Sequence, residues 1–174
     1  MNENDNLTYS NSYFRYVPYN MLFDDMEDCL RKDISETTVG KNEIVLKDYG
    51  PEPFVVNIDE ASKQNNNFRT GLWTGNHLQV TLMSINVGDD IGLEIHPNTD
   101  QFIRIEDGQA IVRMGKDKNN LDFKENAYTD FAIMIPAGTW HNIINVGKKP
   151  LKVYSIYAPP QHPHGVVHVT KPAE

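Results

Sequence analysis

Cysteine is all but missing from this chain. Cys29 is the one thiol among 174 residues, which excludes an intramolecular disulfide and any zinc site built on thiolates. Nothing in the composition therefore calls for an oxidising compartment. Long apolar runs are missing too. The longest, Phe131 to Pro136, falls far short of the ~20 residues a membrane helix needs. The N-terminus is polar and acidic with no apolar stretch, which is not the pattern of a signal peptide. Positive charge is scarce: 16 Lys and Arg stand against 24 Asp and Glu, giving a formal charge of −8. With no basic run, nucleic acid is a poor partner. These absences lead to the expectation of a soluble, cytoplasmic protein with neither nucleic acid nor membrane as partner.

Aliphatic residues are sparse at the start of the chain, where residues 1–20 are rich in asparagine and tyrosine, including Tyr9, Tyr13, Tyr16 and Tyr19. Such a segment buries little and reads as a flexible arm. It packs loosely on the domain or on a second subunit, or it serves as a tyrosine-mediated adhesive segment. Leu22, Met26, Leu30 and Ile34 then recur at four-residue spacing, with Asp24 and Asp25 early and Arg31 and Lys32 late. That is the pattern of a short amphipathic helix over Met21–Ile34, with Cys29 beside its apolar stripe.

After Gly40 the period changes. Glu43–Lys47, Pro53–Ile58, Leu72–Trp73, His77–Val87, Gln109–Met114, Leu121–Phe123, Phe131–Ile135, Trp140–Asn145 and Leu151–Tyr157 all read as strands separated by Gly/Pro turns. Asp59–Gln64 reads as one helical turn capped by Asp59. Along His77–Val87 neither alternating face is purely apolar, which suits a strand lining a pocket. Many short strands make an all-β sandwich or barrel.

The chemistry concentrates in two stretches. The first is GDDIGLEIHPNTDQFIRIEDG, residues 88–108. On a strand, Glu94 and His96 share one face; after a Pro-Asn-Thr break, Gln101 does so with Ile103 and Ile105. A hairpin of this kind offers a carboxylate, an imidazole and an amide oxygen to one point, which is a metal-ligand set. The second stretch, Ile135 to His141, adds another imidazole after a Pro/Gly turn, and Asn145 follows four residues later.

The pair resembles the two motifs of the cupin superfamily over roughly Trp73 to Pro160. The second, Pro-x-Gly-x-x-His-x-x-x-Asn, is matched in full by Pro136, Gly138, His141 and Asn145. The first is matched in spacing, with Glu94 where the family usually has a histidine and Gln101 where it has a glutamate. The resemblance implies a cupin jelly-roll with a short N-terminal helix. Residues 1–40 form the arm and helix, and 41–174 a single cupin domain.

It also implies a divalent metal held by Glu94, His96, Gln101 and His141. The usual three histidines and one glutamate become two histidines, one glutamate and one amide, so the ligand charge is unchanged. Gln101 alternatively orients a water, leaving Glu94, His96 and His141 as a facial triad. Zinc is the leading candidate, with iron, manganese or nickel as alternatives.

The ligand set is similar to that of cupin-type mannose-6-phosphate isomerases, with amide and carboxylate exchanged. A sugar or sugar-phosphate isomerase-like reaction on a small polar molecule is therefore the leading class. A metal-dependent dioxygenase or decarboxylase is the alternative enzyme, and a non-catalytic sugar- or metal-binding module the alternative outside enzymes. His77, Gln79 and Tyr157 are candidate proton-transfer residues by strand position. Small members of the superfamily commonly pair, which implies a homodimer. The tail after Ala158 is expected to be an exposed loop. A second metal site at His162 and His164 is disfavoured by Pro163 and by the lack of a carboxylate nearby in sequence.

Overall fold

The structure, a computed structural model, describes residues 43–173. The expected arm, the helix over Met21–Ile34, Cys29 and the boundary at residue 40 lie outside the described residues.

Nine strands and one helix follow in the order α1 (Ile58–Gln64), β1 (Arg69–Thr74), β2 (Gln79–Ile85), β3 (Asp100–Asp107), β4 (Gln109–Gly115), β5 (Phe123–Tyr128), β6 (Ala132–Ile135), β7 (Trp140–Asn145), β8 (Leu151–Ala158) and β9 (Val167–His168). They form a six-stranded sheet, β6-β3-β8-β2-β1-β9, and a three-stranded sheet, β5-β4-β7. All named pairings are antiparallel. The described residues are thus an all-β sandwich.

Register explains where the core sits. Gln79, Tyr157 and Gln101 lie side by side across β2, β8 and β3. Thr81, Ser155 and Ile103 make the next row, and Met83, Val153 and Ile105 the one after. Because side chains alternate across a strand, all three rows face inward. The inner face is therefore polar at one end and apolar at the other. At the apolar end Met83, Ile85, Ile105, Leu151 and Val153 pack against Ala110, Val112 and Ile143 of the smaller sheet.

The opposite face of the large sheet presents Leu72, Val80, Leu82 and Tyr154, and α1 with the preceding coil covers it through Ala61, Leu46, Phe54 and Val56. The helix is capped by Asn57, whose side chain accepts from the Glu60 N–H, two residues before the expected Asp59. Asp59 instead pairs with Lys63 one turn on. Glu43–Lys47 and Pro53–Asn57 are coil where strands are expected, and Ile58 already belongs to α1. Their backbone partners are not a ladder: the Gln64 amide grips both the N–H and the C=O of Ile44, and Tyr49 N–H donates to Leu72 C=O.

β5 runs well beyond the expected Leu121–Phe123, because its pairing with β4 extends to Tyr128. Only Ala127 of that strand is buried, so no apolar alternation marks it. Asn145 closes the far end of β7. Its amide nitrogen reaches the carbonyls of Ile85, Asn86 and Lys149, and its oxygen accepts from Gly147 N–H. Replacing it with alanine leaves buried carbonyls unpaired. Asn145→Ala is expected to cost on the order of 2–4 kcal/mol, read as a lower midpoint in urea unfolding of the full chain.

Candidate metal centre

Two chain segments meet at the polar end of the sandwich. Residues 88–96 are not the expected strand but follow β7 through isolated bridges, Asp90 with Ile144 and Glu94 with His141. Turn chemistry breaks the segment up: Asp90 accepts from Gly92 N–H, and Gly92 takes a φ of 91°. Glu94 and His141 exchange both backbone hydrogen bonds, at 3.0 and 2.9 Å. The turn entering β7 adds a third link, Gly138 N–H to His96 C=O at 2.9 Å. Gly138 adopts a φ of 71° there, a conformation natural to glycine.

This lacing places the side chains. Glu94 Oε1 lies 3.3 Å from His141 Nε2 and 3.4 Å from His96 Nε2. One ligand atom from each of the three falls within 4.8 Å of the others, and both histidines are buried. His141 Nδ1 lies 2.9 Å from Thr139 C=O, so that nitrogen donates and, in the neutral ring, a lone pair is left on Nε2. Nε2 faces the Glu94 carboxylate at 3.3 Å, an arrangement held by a proton on that nitrogen or by a cation between the two groups. Burial pushes the Glu94 carboxyl up, but hydrogen bonding and charge from His141 and His96 outweigh it and hold the group to about 2. The donor set fits a divalent cation: oxygen and nitrogen ligands, an anion among them, with one imidazole oriented from behind.

Gln101 is buried at the inner face of β3, opposite Tyr157, and neither its amide nitrogen nor its oxygen has a partner among the described residues. It is a neutral donor group free to turn toward the cluster. Tyr157 is fully buried with its ring edge on His96, centroids 5.7 Å apart. Burial raises its phenol above the usual range, so the hydroxyl holds its proton.

Gln79 is committed elsewhere. Its amide donates to Thr74 Oγ1 and to His162 C=O, and its oxygen accepts from the N–H groups of Gln161 and His162. Gln79 therefore positions the tail. His77 is exposed in the turn between β1 and β2, outside the cluster. Its place on the expected strand is lost because β2 begins only at Gln79.

Most of the tail is exposed, as expected, but His162 and His168 are partly buried. Gln79 holds His162 inward, where its ring meets Tyr157 edge-on at 5.1 Å. Asp48 accepts from Gly165 N–H and lies 3.5 Å from exposed His164. A carboxylate does stand near the tail, then, but it comes from more than a hundred residues earlier and meets one histidine alone. Val167 and His168 extend the sheet beside β1. Sequence reasoning weighed His162 only as part of a second metal site and did not single out Arg69. A Pro-rich tail has no period to reveal the first, and the bulge between Gly71 and Trp73 hides which face the second takes.

The cupin-domain family model matches residues 81–157. The uncharacterized protein YrkC of Bacillus subtilis is 69% identical over 128 residues, covering 74% of this chain and 69% of that protein. A crystal structure of BH2720 from Bacillus halodurans superposes with a TM-score of 0.71 at 65% identity, over 72% of this chain and 95% of that one. This chain belongs to the cupin superfamily. An uncharacterized protein of Acanthamoeba polyphaga mimivirus shares 45% identity over 120 residues, 68% of this cupin and 73% of its own length. No helix among the described residues of the cupin is long and apolar enough to cross a membrane.

Burial, reinforced by the Arg69 charge, lowers the His162 imidazole from 6.5 to about 4. The unfolded chain takes up that proton near pH 6.5 and the folded chain only near 4. The stability it contributes is therefore whole above 6.5 and drains away as pH falls to 4. His162→Phe should remove on the order of 2 kcal/mol of the wild-type loss across that window. Urea midpoints of both proteins at stepped pH measure it; parallel curves would contradict the assignment.

Proposed function

We propose that this cupin binds a divalent metal at Glu94, His96 and His141, with Gln101 beside them, and acts on a small polar molecule. The observation that carries the reading is the convergence of three ligand atoms within 4.8 Å beside a buried carboxamide without partners. Zinc is the leading ion. The leading reaction is an isomerase-like proton transfer on a sugar or sugar-phosphate. A bound ion would supply Lewis acidity, polarising a carbonyl oxygen of the substrate.

The chain's own groups do the rest. Thr139 C=O orients His141, and Glu94 supplies the negative charge that draws a cation. Tyr157 holds a proton at its hydroxyl, inside the sandwich and away from water, where it can donate to a substrate oxygen. The mutual closeness of the three charged or imidazole ligands favours a second reading, a facial triad with dioxygenase or decarboxylase chemistry.

Metal content after dialysis, on protein purified without a His tag, tests the ligand set. His96→Ala and His141→Ala should strip the metal, each deleting one of two nitrogen ligands. Glu94→Gln should weaken binding severely by removing the sole anion. Gln101→Ala should weaken it by only about tenfold, and Gln101→Glu should tighten it. A Gln101→Ala protein as empty as His96→Ala would make Gln101 a ligand in its own right and end the facial-triad reading. A metal-free wild type would end the proposal.

The cupin is further proposed to be a homodimer. Edge strands β5 and β6 flank an apolar groove of about 350 Å³, and Phe123, Tyr128, Phe131 and Met134 stand exposed around it. Two strands that end their sheets among the described residues, with an apolar lining, suit a second copy of the same face. Light scattering at micromolar concentration should give twice the chain mass; a monomer there and above would overturn this.

A further inference from the structure

Arg69 stands on the inner face of β1, opposite Met83. It is only 6% exposed. Among the described residues its Nε has no partner, and Nη2 meets only the Met83 sulfur, at 3.8 Å. The guanidinium carbon lies 5.6 Å from the Phe68 ring centroid. Among the described residues no carboxylate lies within ion-pair distance of it. An arginine keeps its charge whatever its surroundings, and a buried unpaired charge is strongly destabilising.

The surroundings suit a ligand. Arg69 and Glu94 line the same cavity, of about 380 Å³, which Lys171 also borders. Lys171 is already neutralised by Asp89 and Asp90. Glu94 Oε1 is engaged by the two imidazoles. Among the described residues, Arg69 is thus the one cation of this cavity without an anion. Tyr157 Oη, His162 Nε2 and His168 Nδ1 are likewise buried without partners among the described residues. His168 pairs with Arg69 in register, and His162 is near enough to feel its charge.

We infer that Arg69 is the anchor for a substrate carboxylate, so that the small molecule bound here is a carboxylic acid whose anion the guanidinium fork grips. The inference deepens the proposed function, taking from it that this cavity is the substrate site. A guanidinium presents two parallel N–H donors that match a carboxylate. The single unpaired cation favours a singly charged group over a phosphate dianion, which would call for more donors than the cavity offers. The carboxylate end would sit on Arg69, leaving the rest of the molecule to extend toward Glu94, His96 and His141.

Calorimetry on the full chain with lactate, the neutral analogue lactamide and inorganic phosphate tests this, run on metal-loaded and metal-free protein. Lactate should bind both forms, lactamide should bind at least tenfold more weakly, and phosphate more weakly than lactate. Arg69→Met should lose lactate binding at least tenfold while retaining metal, and Arg69→Lys should fall between. In buffer free of carboxylate and phosphate, Arg69→Met should melt no lower than wild type, because it removes a buried unpaired charge. Equal lactate affinity in wild type and Arg69→Met, no lactate binding by wild type, phosphate tighter than lactate, or a lower melting point for Arg69→Met would each overturn the inference. If wild type holds no metal, the metal reading fails alone, and the metal-free lactate measurement still decides the role of Arg69.

Discussion

The two-way backbone pairing of Glu94 with His141 is the constraint on which the site depends. It is a single bridge, not a ladder, yet it sets a carboxylate and an imidazole at ion-pair distance from one another. The Gly138 link to His96 fixes the third group from the same turn that feeds His141 into β7. Backbone hydrogen bonds are directional and short, so they hold side-chain origins to within a few tenths of an ångström. Catalytic or ligand geometry built on them is more exact than geometry left to free loops.

The division of the inner face into polar and apolar rows is the second organising feature. Antiparallel register aligns Gln79, Tyr157 and Gln101 across three strands and, two rows away, Met83, Val153 and Ile105. The apolar rows supply the burial that stabilises the sandwich. The polar rows cannot be part of that core without partners, since a buried unsatisfied group carries its full desolvation cost. Gln101, Tyr157, Thr81 and Ser155 all retain such unpartnered atoms. That end of the sandwich carries a cost in stability, and the apolar end is what tolerates it.

Long-range polar contacts complete the cavity. Gln79 and Asp48 act as clamps, the first on residues 161–162 and the second on Gly165 and Thr74. Through them the C-terminal segment is held along the large sheet, with His162 against Tyr157 and Lys171 tied to Asp89 and Asp90 at the cavity. A side-chain amide with both ends satisfied is a rigid post, which suits Gln79 to positioning and not to proton transfer.

The sequence by itself determined the class of fold and pointed to residues that converge. Period-two alternation with Gly/Pro punctuation announces a β-sandwich, and the two motifs single out Glu94, His96 and His141, which the fold brings together. β7 was legible to the residue because its alternation is a local pattern. Strands held only by a neighbour were not: exposed β5 has no alternation to read, and the coil at residues 43–57 resembles strand until its partners prove to be Gln64 and Leu72. Tertiary structure alone decided that His77 faces solvent, that Gln79 is a clamp, that Arg69 lines a cavity with Glu94, and that His162 turns toward Tyr157. The physical reason is one of reach. A ladder register, a bulge at Gly71–Trp73 or a bond from Gln79 to residue 162 joins positions whose separation in sequence carries no trace of the contact.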